Sequence, residues 1–366
     1  MSSFTHFNPV KICFDVPLDA ALESIQALPY ERYMLITSQG WIKRGIVGRI
    51  ESALGKKLYH LISNISSNPE LQLVQGIKQE CIEVDAIIAL GGGSVLDSAK
   101  FLSLHNSILA HNGELCVKDS SGSLKVLNEV RNVESKPIFA FPTTAGTSSE
   151  LTQWATIWDK SAHIKYSLMH ECLYAKMAFY DESLFAHMPQ SVAVFSALDA
   201  LSHAIESIWN KNATPLSQSY AKEAIRLIIK HLSAFAKDTH SLHDRRMIIL
   251  ASIYAGLAFS QTQTALAHAL SYPITMSFDV PHGLACSFSL PILLQYITDK
   301  TANSLLQPFK DDINRLFATL HISSNPRDYG LDTHFVKHIF STLNKRAKNA
   351  LLDVDAIKEE FLSYVS

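Results

Sequence analysis

Asp199 and His203 stand four residues apart in an apolar, helix-period stretch, Asp199-Ala-Leu-Ser-His203-Ala-Ile-Glu206. Residues at this spacing share one face of a helix, so both side chains could ligate one ion. Two more imidazoles follow: His268 in Ala267-His268-Ala-Leu-Ser-Tyr272-Pro273 and His282 in Asp279-Val-Pro281-His282-Gly283. His268 sits in a mostly apolar helical stretch, where a buried imidazole needs a partner. The proline before His282 and the glycine after it make a bend that could aim the ring back toward His268. One carboxylate with three imidazoles suits a borderline ion such as Fe²⁺ or Zn²⁺ and does not suit Ca²⁺ or Mg²⁺. Ligand type does not choose between iron and zinc. The plainer alternative is a core histidine, a loop histidine and an ordinary Asp/His helix pair, and spacing alone leaves it open.

A second kind of chemistry is suggested by two turns nearer the start. In Asp85-Ala-Ile-Ile-Ala-Leu-Gly91-Gly92-Gly93-Ser94 an apolar strand runs into three glycines and then a helix. Such a turn lets the backbone approach an anion, with the N–H groups of the following helix aimed at it. Ser94 and Asp97 read as a capping-box-like start. The pattern is not G-x-G-x-x-G, and a glycine-rich connection without a ligand is the competing reading. The second turn, Phe141-Pro142-Thr143-Thr144-Ala145-Gly146-Thr147-Ser148-Ser149-Glu150, sets hydroxyls and a glycine ahead of another capping box, Thr147-x-x-Glu150. Its hydroxyls and amides could grip a pyrophosphate or a nicotinamide carboxamide.

These residues need a scaffold, and its pattern changes midway. Up to about residue 186, short β-branched runs (Lys11–Val16, Tyr33–Thr37, Asp85–Leu90, Pro137–Phe141) alternate with amphipathic stretches such as Gly45–Ser63 and Ser94–Leu104. That alternation implies βαβ units and a mainly parallel sheet. Ala155–Asp159 and Met177–Tyr180 read as further short strands, and the Ser/Gly/Lys-rich segment 118–126 as a surface loop. From there on, segments 191–210, 215–238, 243–271, 283–298, 303–320 and 331–348 show helical spacing. The expected division is a dinucleotide-binding α/β domain over 1–186 and an all-helical metal-binding domain over 187–366.

Composition excludes several classes. The 366 residues are 47% hydrophobic and 18% charged, which describes a globular chain long enough for two domains. A net charge of -2 without a basic stripe argues against nucleic acid. No uninterrupted apolar run reaches the ~18 residues of a membrane helix, and the start lacks a signal-peptide pattern, so a cytoplasmic location is expected. Cys13, Cys81, Cys116, Cys172 and Cys286 are scattered without a C-x-x-C pair, as expected of free thiols and not of a cysteine zinc site.

The combined motifs resemble the iron-containing, group III alcohol dehydrogenases over nearly the whole chain. Gly91-Gly92-Gly93-Ser94-x-x-Asp97-x-Ala99-Lys100 is similar to that family's cofactor turn and Thr143-Thr144-Ala145-Gly146-Thr147-x-Ser149-Glu150 to its second signature. The Asp199…Glu206 run and the His268…His282 pair, fourteen residues apart, match its metal signatures. The resemblance implies a Rossmann-like α/β domain with a parallel sheet followed by an all-α domain, the dehydroquinate synthase-like fold. It implies that Asp199, His203, His268 and His282 hold Fe²⁺, with Zn²⁺ the alternative. It further implies that NAD or NADP is bound by Ser38, Gly91, Gly92, Gly93, Ser94, Asp97, Thr143, Thr144, Thr147, Thr152 and Lys165, and that the protein is a homodimer.

Three positions depart from the family pattern. Tyr272 stands where a second histidine is common, and either a hydroxyl donor or a packing role fits it. Thr37-Ser38-Gln39 carries no acidic residue for a ribose diol, while Lys43 and Arg44 stand nearby, so NADPH is as compatible as NADH. Trp154 replaces a smaller polar residue at a position expected to face substrate, with Phe259 and Tyr272 as further lining. The stretches 149–168, 208–212 and 264–273 are similar to phosphonoacetaldehyde reductases, implying reduction of that aldehyde to 2-hydroxyethylphosphonate in phosphonate metabolism. The competing expectations are a general short-chain primary alcohol/aldehyde dehydrogenase and, from another class, a non-catalytic nucleotide- and metal-binding protein. For either enzyme the expected mechanism is hydride transfer at a cleft between the two halves.

Overall fold

The computed structural model describes residues 3–65, 67–81, 83–111, 114–118, 122–162 and 164–366. Its contacts divide the chain into two compact units. One comprises Asn8–Thr143 and Ser149–Phe185; the other comprises Ala186–Ser366 with Thr144–Ser148 and the described part of Met1–Phe7.

The first unit is built on β1 (Lys11–Phe14), β2 (Tyr33–Ile36), β3 (Leu58–Ile62), β4 (Ala86–Gly91), β8 (Ile138–Pro142) and β11 (Met177–Tyr180), in the order β1-β11-β8-β4-β2-β3. All pairings in this sheet are parallel. Every residue of β2, β4, β8 and β11 is buried, the reason their sequences are continuous apolar runs and do not alternate. The helix Gly93–Ser103 leaves the end of β4 and packs on this sheet. Two smaller antiparallel sheets complete the unit: β5 (Ile108–His111), β6 (Glu114–Lys118) and β7 (Leu124–Val126), and the pair β9 (Trp154–Asp159) with β10 (Ile164–Met169).

Two local expectations are corrected. The stretch 45–63 is not one amphipathic helix: the helix Ile46–Leu54 stops where Gly55 takes a φ of +53°, and Leu58–Ile62 forms edge strand β3. Leu54, Leu58 and Leu61 continue a helical spacing across the break, so periodicity alone misreads the strand. The expected loop 118–126 includes the end of β6 and all of β7, which pair through Cys116 and Val126. Residues 119–121 of that loop lie outside the described residues.

The second unit is helical. Its longest helices are Gln190–Ile208, Pro215–Lys237, Leu242–Thr262 and Leu266–Phe278. Thr214 and Ser217 form a reciprocal capping box around Pro215, which explains the sharp start of the second helix. The segment 243–271, expected as one helical stretch, is broken at Gln263, whose φ of +65° ends one helix before Leu266 starts the next. The segment 283–298 contains two short helices, His282–Ala285 and Leu290–Leu293, and no continuous one. By length and mean hydropathy (1.2) the Gln190–Ile208 helix could cross a membrane, but it is largely buried within this unit and carries Asp199, His203 and Glu206.

Candidate metal centre and cofactor turns

Within the helical unit, the four residues nominated as ligands converge on one carboxylate oxygen. Asp199, 3% exposed, places Oδ1 3.2 Å from His268 Nε2, 3.8 Å from His203 Nδ1 and 4.0 Å from His282 Nε2. Asp199 and His203 meet because one turn of the Gln190–Ile208 helix separates them. His282 arrives through a close backbone approach. A Cβ on Gly283 would lie 1.9 Å from the Phe195 carbonyl oxygen and 3.3 Å from Asp199 Cβ, so only glycine lets the His282–Ala285 turn lie this near the helix. Gly146 does the same one residue along, where a Cβ would fall 2.4 Å from the Ser196 carbonyl oxygen.

The rings are held by stacking. His203 lies between Phe259, at 3.9 Å and 7°, and His268, at 4.3 Å and 17°. The Tyr272 ring is parallel to His282 with centroids 5.6 Å apart. Phe259 therefore packs on a candidate ligand, and Tyr272 lies beside another.

Two residues join the site that were not nominated for it. The carboxylate of Glu206, itself fully buried, accepts from the backbone N–H groups of Ala265 (2.8 Å) and His268 (3.2 Å) and from His268 Nδ1 (2.7 Å). It thereby starts the Leu266–Phe278 helix and turns His268 Nε2 toward Asp199. The spacing Asp199, His203, Glu206 (i, i+4, i+7) was the available signal, since all three share one helix face. The second residue is Cys286, whose Sγ lies 3.4 Å from Asp199 Oδ1, one helical turn after His282.

The electrostatics are those of one buried carboxylate among three imidazoles. Burial acts to raise the Asp199 carboxyl, but the surrounding imidazoles of His203, His268 and His282 outweigh it and hold it far below the carboxylate range. Burial drives His203 down to about 3, against the pull of Asp199. His268 goes the other way: burial would lower it, yet Glu206 and its other partners hold it well above the usual imidazole value. His203 Nδ1 is buried and meets no hydrogen-bond partner among the described residues. An orphaned buried polar atom costs about 1–3 kcal/mol, a penalty that a divalent ion beside Asp199 would remove. The donors therefore fit a borderline divalent metal.

In the α/β unit the two turns adjoin at the carboxyl ends of neighbouring parallel strands. Gly91 pairs with Pro142, and the Thr143 N–H donates to the Gly91 carbonyl at 3.2 Å. Ligands of open α/β sheets bind at this edge. Gly92, Gly93 and Ser94 form the helix start, but the expected Ser94/Asp97 capping box is absent: the N-cap is Gly92, without a side-chain bond, and Ser94 Oγ accepts from the Asn68 N–H. Asp97 turns inward. Its Oδ1 accepts from Ser149 Oγ at 2.5 Å and its Oδ2 from the Thr156 N–H at 2.8 Å. The Thr147-x-x-Glu150 box is likewise replaced by a 3₁₀ turn, Ser149–Leu151, and the Glu150 carboxylate accepts from the Tyr180 hydroxyl at 2.7 Å.

Behind these turns lies Lys100, 1% exposed, whose Nζ donates to the carbonyls of Ser149 (2.6 Å), Thr152 (2.8 Å) and Trp154 (2.6 Å) and to Thr152 Oγ1 (3.1 Å). Burial lowers it to about 8, opposed by Asp97 and Glu150. Thr152 and Asp97, nominated for cofactor contact, are thus tied into the frame that shapes the turn. Lys165, on β10, holds its Nζ 5.5 Å from the Trp158 ring centroid. Ser38 precedes the short helix Gln39–Lys43 at the end of β2, and Arg44 packs on Trp41. Trp154 is buried on β9 in this unit. Thr144 and Thr147 group with the helical unit.

Known families match both halves. The model described as iron-containing alcohol dehydrogenase covers residues 9–182, and that described as Fe-containing alcohol dehydrogenase family, C-terminal, covers 193–319. "Probable alcohol dehydrogenase EutG" of Escherichia coli is 36% identical over 213 residues, 58% of this chain and 51% of that protein. The chain thus spans about half the length of that relative. "Long-chain-alcohol dehydrogenase 1" of Geobacillus thermodenitrificans is 30% identical over 298 residues, covering 80% of this chain and 73% of that one. Among solved structures, a sulfoacetaldehyde reductase from Bifidobacterium kashiwanohense in complex with NAD+ superposes over 100% of both chains with a TM-score of 0.87 and 21% identity. An iron-containing alcohol dehydrogenase from Thermococcus thioreducens gives a TM-score of 0.83 at 20% identity, covering 98% of this chain and 99% of that one. Identities this low speak for the fold alone. With both family models matched in order along one chain whose structure carries the corresponding two-part fold, the protein belongs to the iron-containing alcohol dehydrogenase family.

Proposed function

We propose that the chain is a metal-dependent, NAD(P)-linked alcohol dehydrogenase/aldehyde reductase, with Fe²⁺ or Zn²⁺ held by Asp199, His203, His268 and His282. The observation that carries this reading is the convergence of His203, His268 and His282 on Asp199 Oδ1 at 3.8, 3.2 and 4.0 Å. When bound, the ion supplies Lewis-acid stabilisation of the negative charge that develops on the substrate oxygen. A bound nicotinamide cofactor would supply the hydride for reversible reduction of an aldehyde carbon, with a proton taken up by the oxygen.

The chain's own residues prepare that step. Glu206 orients the His268 ring, and Phe259 fixes His203 by stacking. Tyr272, stacked on His282, is the proposed hydroxyl donor beside the substrate. Backbone N–H groups at Gly92, Gly93 and Ser94 would hold the cofactor pyrophosphate, and Thr143, Thr144, Thr147, Thr152 and Lys165 would hold the rest of the cofactor. Asp97 and Lys100 act from behind by holding residues 149–156 in place. Ser38 presents no carboxylate to a 2′-phosphate, so the reading includes both NADH and NADPH.

For the substrate we propose phosphonoacetaldehyde, reduced to 2-hydroxyethylphosphonate, on the strength of the sequence stretches around Trp154, Trp209 and His268. Trp154 and Phe259 are proposed to line the substrate position. The proposed setting is a cytoplasmic homodimer. The test is steady-state turnover of the metal-loaded protein with NADH and with NADPH on phosphonoacetaldehyde, sulfoacetaldehyde, butanal and lactaldehyde. A clear kcat/KM preference for phosphonoacetaldehyde is expected. Equal or better rates on butanal or lactaldehyde would replace it with a general short-chain aldehyde activity, and full metal occupancy without turnover on any aldehyde would overturn the enzyme reading.

A further inference from the structure

We infer that Arg346 is the residue that recognises the acidic end of the substrate, a phosphonate, at the edge of the site built around Asp199. The inference rests on the phosphonate reading above and deepens it by naming the side chain that confers it. Arg346 lies on the short turn Lys345–Asn349 and is half-buried. Its Nη1 donates to Thr264 Oγ1 at 3.1 Å. Thr264, 3% exposed, stands four residues before His268 and five after Phe259, the ring that stacks on His203. The next N–H along the chain, that of Ala265, is held by Glu206, the carboxylate that also orients His268. The guanidinium is therefore anchored to the segment that joins Phe259 to His268.

A frame of buried amides fixes that position. Asn349, 5% exposed, donates from Nδ2 to the Thr264 carbonyl at 3.1 Å, and its own carbonyl accepts from the Lys211 N–H at 2.8 Å. Asn210, 1% exposed, donates to the Gln263 carbonyl and Asn212 to the Thr262 carbonyl, both at 3.1 Å. The Leu351 N–H closes the frame on the Trp209 carbonyl at 2.8 Å. The stretches 208–212 and 264–273, far apart in sequence, thus meet against the turn that carries Arg346.

The segments brought together are one-sided in charge. Residues 207–214, 257–264 and 342–352 contain no Asp or Glu and carry Lys211, Lys345, Arg346 and Lys348, in a chain whose net charge is -2. The three lysines are exposed, where they raise the local potential and draw an anion in. The half-buried guanidinium suits the closer contact, because its planar fork matches two oxygens of a tetrahedral oxyanion. It carries five donors, so one contact to Thr264 and a grip on an anion are compatible. A fully ionised phosphonate presents two charges to this cluster, a sulfonate one and a simple aldehyde none. The expected order of preference is therefore phosphonoacetaldehyde, sulfoacetaldehyde, butanal.

The test is kcat/KM of the metal-loaded full chain on phosphonoacetaldehyde, sulfoacetaldehyde and butanal, for the wild type, Arg346→Met and Arg346→Lys. In Arg346→Met the phosphonoacetaldehyde-to-butanal ratio should fall by about 10–100-fold, the loss of a hydrogen bond to a charged group, and the change should lie mainly in KM. Arg346→Lys keeps the charge without the fork and should retain part of the ratio. A ratio cancels any loss of folded or metal-loaded enzyme, so a merely structural role would lower both rates and leave it unchanged. A wild type that prefers phosphonoacetaldehyde, with an Arg346→Met that keeps the preference, would reject Arg346 and leave the phosphonate reading standing. A wild type without the preference would remove both. A larger loss on sulfoacetaldehyde than on phosphonoacetaldehyde would overturn phosphonate as the group bound. If Arg346→Met does not fold, Arg346→Lys decides, and a wild-type ratio in it would overturn the inference.

Discussion

Glu206 Oε2 accepts a 2.7 Å hydrogen bond from His268 Nδ1, and the same carboxylate accepts from the backbone N–H groups of Ala265 and His268. One side chain thus orients a candidate ligand and caps the helix that carries it. Metal-binding histidines commonly hold their second nitrogen in this way, and removing the partner typically costs 10–100-fold in metal affinity. Glu206→Gln keeps the shape but cannot accept with both side-chain ends. Competition with a chelator should show a loss of about 10–100-fold in affinity. Unchanged affinity would reduce Glu206 to a helix cap.

His268→Ala removes the imidazole closest to Asp199 Oδ1. Metal content and hydride transfer should both be lost, while the unit of Asn8–Thr143 and Ser149–Phe185 keeps its fold and its nicotinamide binding. Elemental analysis and cofactor fluorescence read the two effects separately. Wild-type metal content with full turnover would remove His268 from the ligand set.

Gly283→Ala puts a methyl group 1.9 Å from the Phe195 carbonyl oxygen, a contact no rotamer change relieves. The backbone must move, at a cost of about 1–3 kcal/mol or more. Because the turn carries His282, metal affinity should fall together with stability. Urea denaturation with parallel metal titration checks this, and a variant as stable as wild type would show that the approach is looser than the structure has it.

Lys100→Met keeps an unbranched side chain, one atom shorter, but strips four donor contacts from residues 149–154 and leaves Asp97 and Glu150 without their buried cation. Removing one member of a buried charged group costs about 3–5 kcal/mol. Denaturation should report a loss of that order and cofactor titration a weakened NAD(P)H affinity. A stable variant with wild-type cofactor binding would contradict the positioning role.

Asp244 near the start of the Leu242–Thr262 helix pairs with His231 at 2.8 Å. Burial acts to raise its carboxyl, but His231 and Ser241 prevail and hold it below the ordinary carboxylate value. A depressed folded-state value means that the contribution is present above the unfolded carboxylate pKa and is lost as pH falls through the folded one. Asp244→Asn should therefore be less stable than wild type at neutral pH, with the difference closing below about pH 4. A pH-independent difference would assign the effect to helix capping alone.

The pattern of success along the chain has a physical explanation. Local geometry made Asp199 and His203 readable as a pair, because a helix repeats every 3.6 residues wherever it is placed. The buried strands β2, β4, β8 and β11 were readable for the same kind of reason, since a sheet covered on both faces demands unbroken apolar runs. Leu58–Ile62 failed because Leu58 and Leu61, three residues apart, continue the helical spacing of Leu54, although on an edge strand they lie on opposite faces. Asp97 and Glu150 were read as helix caps because a carboxylate in the first turn usually is one; here Ser149, Thr156 and Tyr180, distant in sequence, took their hydrogen bonds instead.

What the sequence by itself determined is therefore the two-part α/β-then-helical order, the glycine turn and the helix-face pair Asp199/His203. Only the tertiary structure decided that His268 and His282 reach Asp199, that Glu206 and Cys286 join them, and that Lys100 and Asp97 serve the frame behind the turns. Helix and strand periods are set by neighbours a few residues away. The company that a buried polar group keeps is set by whichever distant backbone can approach it, and here that approach depends on two glycines, Gly146 and Gly283, with no side chain to stand in the way.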